Sequence, residues 1–575
     1  MREEDLNVDE VVSCDVLVIG SGAGGLSAGV TAATLGLKVI VTEKASVFGG
    51  TSARSGGWVW IPCSPLARKA GVKDSLDAAK TYLRCQAGEH FNDQLIDNYL
   101  RRGPEAVDFF ISRTRLQFEL GLTMSDYHPN DPGGLPGGRG MVAAPYDGRE
   151  LGKEIGRLRP PIPEMTLFGM MVGSGGELKH FFNALRSVKS AFIVSALLMR
   201  YARDRILHGR AMRLTNGNAL VGRLAKSLFD NGAPIWTRAP AKALIMERGA
   251  VKGAIVEHAG KRIKVAAARG VVLATGGFPQ NVELRKRFFS HAPTGKEHWS
   301  LAPDENTGDG LMLGEGAGGS LLTDLPNAAA WAPVSLVRRK NGEYGAFPHG
   351  LDRGKPGVIA VTRRGQRFTN EGDSYHDFVQ AMIRSCEGKS EICAFLIADH
   401  RTLRRYGLGN VKPFPLSLKP HLRSGYLLRG ETPAKLAEVA GIDKNAFVET
   451  LERFNRFSRR GEDPEFHRGE TAYNRYVGDP DHKPNPAIGP VEEGPFYAVK
   501  LLPGDLGTYA GLKVNENAQV LDSAGVAVPG LFASGNDAAS MMGGSYPGGG
   551  VVLGPALVNG YLAGRYLAEQ QAPSI

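Results

Sequence analysis

The chain has 575 residues, long enough for two or three domains, and its 42% hydrophobic and 22% charged content is that of a folded globular protein, not a disordered or fibrous one. A net charge of +10 raises nucleic acid as a partner, yet no zinc-finger spacing, basic heptad or RNA-binding signature accompanies it, so no nucleic acid is expected. Five cysteines (Cys14, Cys63, Cys85, Cys386, Cys393), never in CxxC, argue against a disulfide framework or metal site, and no apolar run approaches the roughly 20 residues that span a bilayer. With the acidic start MREEDLNVDE, which has no apolar secretory core, the expected location is cytoplasmic.

In chain order, an apolar run from Val16 to Ile19 enters Gly20-Ser21-Gly22-Ala23-Gly24-Gly25, and a small-residue helix follows to Leu35. A second apolar run, Val39 to Val41, ends at Glu43-Lys44. This is a βαβ unit with a dinucleotide fingerprint. Gly20 makes the tight turn, Gly22 lets the backbone approach a pyrophosphate at the helix N-terminus, and Gly25 lets the helix lie close on the strand. Glu43 sits where a carboxylate accepts both ribose hydroxyls, which favours an adenosine without a 2′-phosphate. The stretch FGGTSARSGGWVW (Phe48 to Trp60), with Gly50, Thr51, Ser52, Gly56 and Gly57, suits backbone contact with a large flat ligand.

Asp74 to Arg115 is helical in period and leads to a Pro- and Gly-rich loop, Ser125 to Gly140, that carries Tyr127. Residues 151–214 differ in texture. There SVKSAFIVSALLMRYARDRILHGR reads as an amphipathic helix with a basic flank, either core-packed with solvated arginines or docked peripherally on an anionic membrane surface. A β-rich patch near Lys242 runs into GVVLATGGFPQN, whose strand ends at Ala274-Thr275-Gly276-Gly277, suited to return beside the first strand and close over the adenosine. The middle of the chain has mixed patterns and the motifs NTGDG, with Gly308 and Asp309, and RGQRFTNEGDSY, ending at Tyr375. PGLFASGN (Pro529 to Asn536), with Gly535, is a further strand and turn, and SYPGGGVVLGPALVNGYLAGRYLA opens a helix near Leu553. Ala241, at the start of the β-rich patch, and Leu553 complete the expected cofactor contacts. No metal is expected.

Together these residues resemble the flavoprotein family that contains fumarate reductase, succinate dehydrogenase and the 3-ketosteroid dehydrogenases. The resemblance rests on GSGAGG with Glu43, GGTSARSGG, ATGG, NTGDG, FNRFSRRGEDPEFHRG and PGLFASGN, and covers nearly the whole chain. It implies FAD and an α/β fold in which a Rossmann-like FAD-binding domain (1–288 and 494–575) carries an inserted α+β substrate domain (289–493). Within the family SYPGGG resembles the YPGPG motif of the 3-ketosteroid Δ1-dehydrogenases. Tyr375 after NEGDS, Tyr127 in SDYHP, and GPFYAVKLLPGDLGT are similar to that branch too. Where fumarate reductases place an arginine on the dicarboxylate, this chain has Tyr546, and a phenol does not neutralise a carboxylate. Two departures bear on the substrate: Tyr509-Ala510-Gly511 replaces the branch's Lys-Gly-Gly, and residues 151–214 are longer than in compact members.

The resemblance implies 1,2-desaturation of a 3-ketosteroid A ring. The Tyr546 hydroxyl and the Gly550 amide would hold the ketone oxygen, Tyr375 would take the α proton directly or through Tyr127, and the β hydride would pass to flavin N5. A free phenol titrates near pH 10, so neighbouring hydrogen bonds or charge must lower it. Desaturation of the 4,5 bond of a 5α-steroid, desaturation of a cyclohexanone, and enoate reduction in reverse stay open. The partners expected are the ketone and an external, quinone- or dye-like electron acceptor.

Overall fold

In the computed structural model, residues 8–174, 176–389 and 391–570 are described; the first seven, most of the acidic start, lie outside them. Five parallel strands form the centre of the first sheet, in the order Ala527–Ala533, Lys261–Leu273, Glu10–Ile19, Val39–Glu43, Ile235–Thr237. Val16, Leu17, Val18 and Ile19 are buried on both faces, as expected of a parallel strand covered by helices on each side. The hairpin Ala241–Glu247 and Ala250–His258 pairs antiparallel with Lys261–Leu273, turning at Arg248 and Gly249, both at positive φ.

The helix Ala23–Thr34 packs against the C-terminal helix Leu553–Glu569 at a separation that only glycine permits. A Cβ on Gly560 would lie 1.9 Å from Ser27 Oγ, and one on Gly564 2.6 Å from the Ala28 carbonyl. The two ends of the chain are thereby locked over the nucleotide turn.

A second sheet of seven strands is built from the chain between Trp299 and Thr508, before the first sheet's last strand. Its centre is Phe496–Thr508, which pairs with Ala329–Arg338 and Trp299–Ser300 along its second half and with Ala394–Asp399 and Leu428–Gly430 along its first half. That strand belongs to the 494–575 stretch that sequence reading attached to the nucleotide fold. The structure instead places it at the heart of the second sheet, and the chain turns back toward the nucleotide fold only after Thr508. Sequence texture did not show this, because the strand's partners lie some 66 to 205 residues away along the chain. Among the described residues no helix is long and apolar enough to cross a membrane.

Candidate active site

A cleft opens at the carboxyl ends of the parallel strands, where ligands bind in open α/β sheets. It holds ≈ 870 Å³ of non-atom space, open solvent included, and is lined by Gly20, Ser21, Gly22, Glu43, Lys44, Gly50, Thr51, Ser52, Ala241, Ala274, Thr275, Gly276, Asp309, Gly535, Asn536 and Leu553. Gly20 turns at φ +110, and a Cβ there would strike the Ala274 carbonyl at 2.0 Å; Gly22 faces open space, its nearest neighbour being Ser52 Oγ at 3.5 Å. The cradle therefore fits a pyrophosphate approached by backbone. Ser52 Oγ accepts from the Ala23 amide at 2.9 Å, tying the second glycine run to the start of the first helix.

Glu43 is buried, with Oε1 taking the Ala45 amide at 2.8 Å and Oε2 the Ser21 hydroxyl. Loss of water raises its pKa, against which the Ser21 and Ala45 hydrogen bonds act. Lys44 Nζ reaches Asp309 Oδ2 at 2.9 Å and Thr307 Oγ1 at 2.7 Å, so NTGDG lies on the cleft although most of the chain around it belongs elsewhere. Asp537 accepts the Gly277 amide at 2.8 Å and the Thr275 hydroxyl at 3.0 Å, and burial pushes it up to about 6.

Five residues expected on the cofactor, Gly25, Gly56, Gly57, Gly277 and Gly308, do not line the cleft, and all but Gly56 have a packing reason. Gly25 lies under Gly20, its Cβ position 2.0 Å from that carbonyl; Gly57 abuts Asn216 at 2.3 Å, beside Gly56; Gly277 faces Thr508 Oγ1 at 2.0 Å; Gly308 faces Leu284 Cδ1 at 2.7 Å. Sequence reasoning missed Arg159, Pro240, Glu305, Leu313 and Val552, which do line it. Arg159 pairs with Glu305 at 3.1 Å, and its buried Nε has no partner, a donor suited to a polyanionic ligand. No local motif marks it.

The tyrosines converge beside this cleft. Tyr127, on the loop after Phe118–Leu120, donates its amide to the Pro547 carbonyl at 2.9 Å, and Asp126 bridges to Gly548. Asp126 is a buried anchor for that loop, taking Trp60 Nε1 at 2.7 Å and Arg139 Nη1 at 2.8 Å. Tyr82 seals the junction by donating to the Pro547 carbonyl at 2.6 Å. Tyr375 begins the helix Tyr375–Ser385, capped by Ser374. The next residue, His376, accepts the Trp331 amide at Nδ1 (3.0 Å), which leaves Nε2 to donate to the Gly544 carbonyl at 3.2 Å. Burial pushes His376 down to about 4, so it is a neutral strut that holds the Tyr546 loop.

The Tyr546 ring stacks on Tyr127 at 5.6 Å between centroids and meets Tyr375 edge-on at 5.0 Å, with Tyr127 and Tyr375 5.5 Å apart. A fourth ring, Tyr473 on the short helix Ala472–Val477, lies 4.4 Å from Tyr127. It stands in no motif, although FNRFSRRGEDPEFHRG ends only a few residues before it. Burial pushes Tyr546 up to about 12 and holds Tyr127 and Tyr375 well above the ordinary tyrosine range. Gly550 has φ +105 with its Cα against the Val59 backbone, where a Cβ would come to 2.6 Å, and its amide has no protein acceptor among the described residues. Tyr509 is also buried among these rings, with its hydroxyl unpartnered. On the far side of Tyr375, Ile162, Leu301, Val334, Leu502 and Leu506 form an apolar wall.

Residues 15–553 match the FAD binding domain family. The chain is 40% identical over 570 residues to 4-oxocyclohex-2-ene-1-carboxylate 5-dehydrogenase of Sinomonas cyclohexanicum, covering 99% of this chain and 96% of that protein. It is 37% identical over 572 residues to 3-oxosteroid 1-dehydrogenase of Mycobacterium tuberculosis, covering 97% and 98%. Among solved structures it is similar to 3-ketosteroid delta1-dehydrogenase from Sterolibacterium denitrificans in complex with 1,4-androstadiene-3,17-dione, with a TM-score of 0.88, 32% identity, and 97% and 99% of the two chains covered.

Proposed function

This chain belongs to the FAD-binding flavoprotein family that includes the 3-oxosteroid 1-dehydrogenases, and on that premise we propose that it desaturates the carbon–carbon bond next to the ketone of a 3-oxosteroid A ring. It is an FAD-dependent oxidoreductase acting on CH–CH groups. Gly20, Gly22, Ser52 and Glu43 would hold the adenosine and pyrophosphate, with the start of the C-terminal helix beside the ring system. Bound FAD supplies the acceptor for a hydride.

The protein's own work is on the ketone. The Tyr546 hydroxyl and the Gly550 amide converge as donors on the ketone oxygen, and such preorganised donors stabilise negative charge as it develops there. Tyr375 takes the α proton, with Tyr127 in contact to pass it on. The apolar wall from Ile162 to Leu506 shields the ring and excludes water. The single observation that carries this reading is the convergence of Tyr127, Tyr375 and Tyr546 beside the nucleotide cleft.

The identity to the Sinomonas enzyme favours a second substrate, a monocyclic oxocyclohexene carboxylate, desaturated by the same two steps. Anaerobic bleaching of the flavin across a panel of steroid and monocyclic ring ketones tests both. Bleaching by steroids sustains the first reading, bleaching by oxocyclohexene carboxylates alone replaces it with the second, and bleaching by neither refutes the reaction class. An external quinone-like acceptor would reoxidise the flavin.

The helix Val188–His208 carries a finer reading, peripheral membrane contact. Phe192, Met199 and Ile206 recur every seven residues on one side and are 75%, 67% and 83% exposed, with Arg200, Arg203 and Arg205 beside them. An exposed apolar stripe flanked by arginines suits an anionic interface.

A further inference from the structure

Burial works against the proposed base. The phenols of Tyr127, Tyr375 and Tyr473 all lose water and are held above the ordinary tyrosine range, yet taking an α proton requires one of them as the phenolate. A buried anion needs a counter-charge, and a cation within a few ångströms favours the charged form.

Arg353 supplies a buried positive charge that no carboxylate contacts directly. It lies on the short turn Asp352–Gly354 and is 1% exposed. Its guanidinium donates to the carbonyls of His349 (2.8 Å), Glu371 (2.9 Å) and Asp373 (3.1 Å), acceptors without net charge. Among the described residues no carboxylate lies within ion-pair range of it. Two other buried arginines are ion-paired, Arg139 with Asp74 and Asp126 and Arg367 with Glu371 and Asp463, whereas buried Arg285, like Arg353, donates to carbonyls and to the Gln280 amide oxygen.

The carboxylates near Arg353 hydrogen-bond other groups, although their charges still favour the charged guanidinium. Asp352 takes His349 Nδ1 at 2.6 Å, Glu371 takes Arg367 and Arg468, and Asp373 takes Asn474 Nδ2 at 2.8 Å. The helix that carries Tyr473 packs directly on this turn, a Cβ on Gly354 falling 2.3 Å from Val477. Burial opposes the charge on Arg353, which a Tyr473 phenolate, Asp352, Asp373 and Glu371 favour, and the guanidinium in turn lowers the Tyr473 phenol against the rise from burial.

We propose that Arg353 is a positioning residue for the reaction, its charge, bonded only to carbonyls, stabilising a tyrosinate shared through Tyr473, Tyr127 and Tyr375. The inference rests on the ring-ketone reading above. At each turnover the substrate's α C–H bond breaks, its proton forms an O–H bond with the Tyr375 phenolate, and the electron pair becomes the enolate. Bound FAD would accept the β hydride, which leaves with its electron pair as the enolate becomes the enone. The tyrosine cluster goes from one negative charge to none, and returns a proton to water before the next cycle. Arg353 therefore sets the pH above which the cluster can act.

The test uses holoenzyme variants Arg353→Gln, which keeps hydrogen-bond donors but loses the charge, and Arg353→Lys, which keeps the charge. The rate of anaerobic flavin reduction by 4-androstene-3,17-dione, or by the best ketone of the panel, is followed against pH. Below the cluster's titration the rate rises tenfold per pH unit. Arg353→Gln is expected to move the rising limb about one unit to higher pH, an approximately tenfold loss on that limb, with KM and flavin binding retained. Arg353→Lys should keep the limb near its original place. Tyr473→Phe should reproduce the shift, and adding Arg353→Gln to it should shift the limb no further, since coupled residues are not additive. An equal slowing at all pH values in Arg353→Gln would overturn the inference, leaving only a structural role. So would an unshifted limb. Tyrosinate absorbance of the FAD-loaded protein without substrate gives a second reading. Its first phenol to titrate should move up in Arg353→Gln, and an unmoved titration would sink the inference even if the reaction class held. Absence of reduction by any ketone in the wild type would instead fault the reaction reading.

Discussion

Replacing Tyr546 with Phe separates its hydroxyl from its ring. The ring is 5% exposed and contacts Tyr127 and Tyr375 at centroid distances of 5.6 and 5.0 Å, and these contacts survive the change. The folded state loses one phenol hydrogen bond, about 1 kcal/mol, which in a protein of this size lowers Tm by no more than about 2 to 4 °C. The transition state loses one of two donors to the ketone oxygen, which costs about 10²- to 10³-fold in turnover, or roughly 2.7 to 4 kcal/mol. Anaerobic stopped-flow measurement of flavin bleaching gives the reductive rate, and mass or proton resonance measurement in deuterated water gives exchange of the substrate's α proton. Both should slow in parallel, because Tyr546 acts on enolisation before the hydride leaves. Tyr375→Phe should abolish exchange as well as bleaching. Rapid α-proton exchange in Tyr375→Phe would remove that residue as the base, and unchanged bleaching in Tyr546→Phe would remove Tyr546 from the ketone site.

Gly560→Ala should force apart the two helices that lock the chain ends, because its Cβ would lie 1.9 Å from Ser27 Oγ; about 1 to 3 kcal/mol of stability and weaker FAD retention are expected, read by thermal melts and flavin release on gel filtration. His128 Nε2 meets Asp377 Oδ2 at 2.7 Å and bridges the elements carrying Tyr127 and Tyr375. Burial opposes charge on both, but their mutual attraction outweighs it, so His128 is raised and Asp377 lowered. The pair's contribution is lost as pH rises through the raised His128 value and as it falls through the depressed Asp377 value. Asp377→Asn should therefore lower Tm most in mildly acidic buffer and converge on the wild type at alkaline pH, and a constant difference across that range would contradict this. Phe192→Glu with Ile206→Glu should reduce sedimentation with anionic vesicles while leaving flavin bleaching unchanged, whereas equal sedimentation would make the exposed helix face a solvated one.

Much of the nucleotide fold was legible in the sequence because its determinants are local. A strand, a glycine turn and a helix follow one another within Val16 to Leu35, and the demand on Gly25 comes from the Gly20 backbone within that same unit. The tyrosines of SDYHP, NEGDS and SYPGGG were legible through resemblance, not through any physical signal of their own. What tertiary structure alone decided concerns residues that meet across long stretches of chain. The strand Phe496–Thr508 is apolar in either fold, and only its partners make it the centre of the second sheet. Gly57 and Gly277 look like ligand-facing glycines in sequence, but in space they admit a neighbouring backbone or side chain. Arg159, Tyr473 and Arg353 stand in no motif, because their roles follow from what surrounds them: an unpartnered Nε on the cleft, a ring against Tyr127, and a guanidinium bonded only to carbonyls. The charge state of a buried group depends on desolvation and on neighbours brought together by folding, and a linear sequence carries neither.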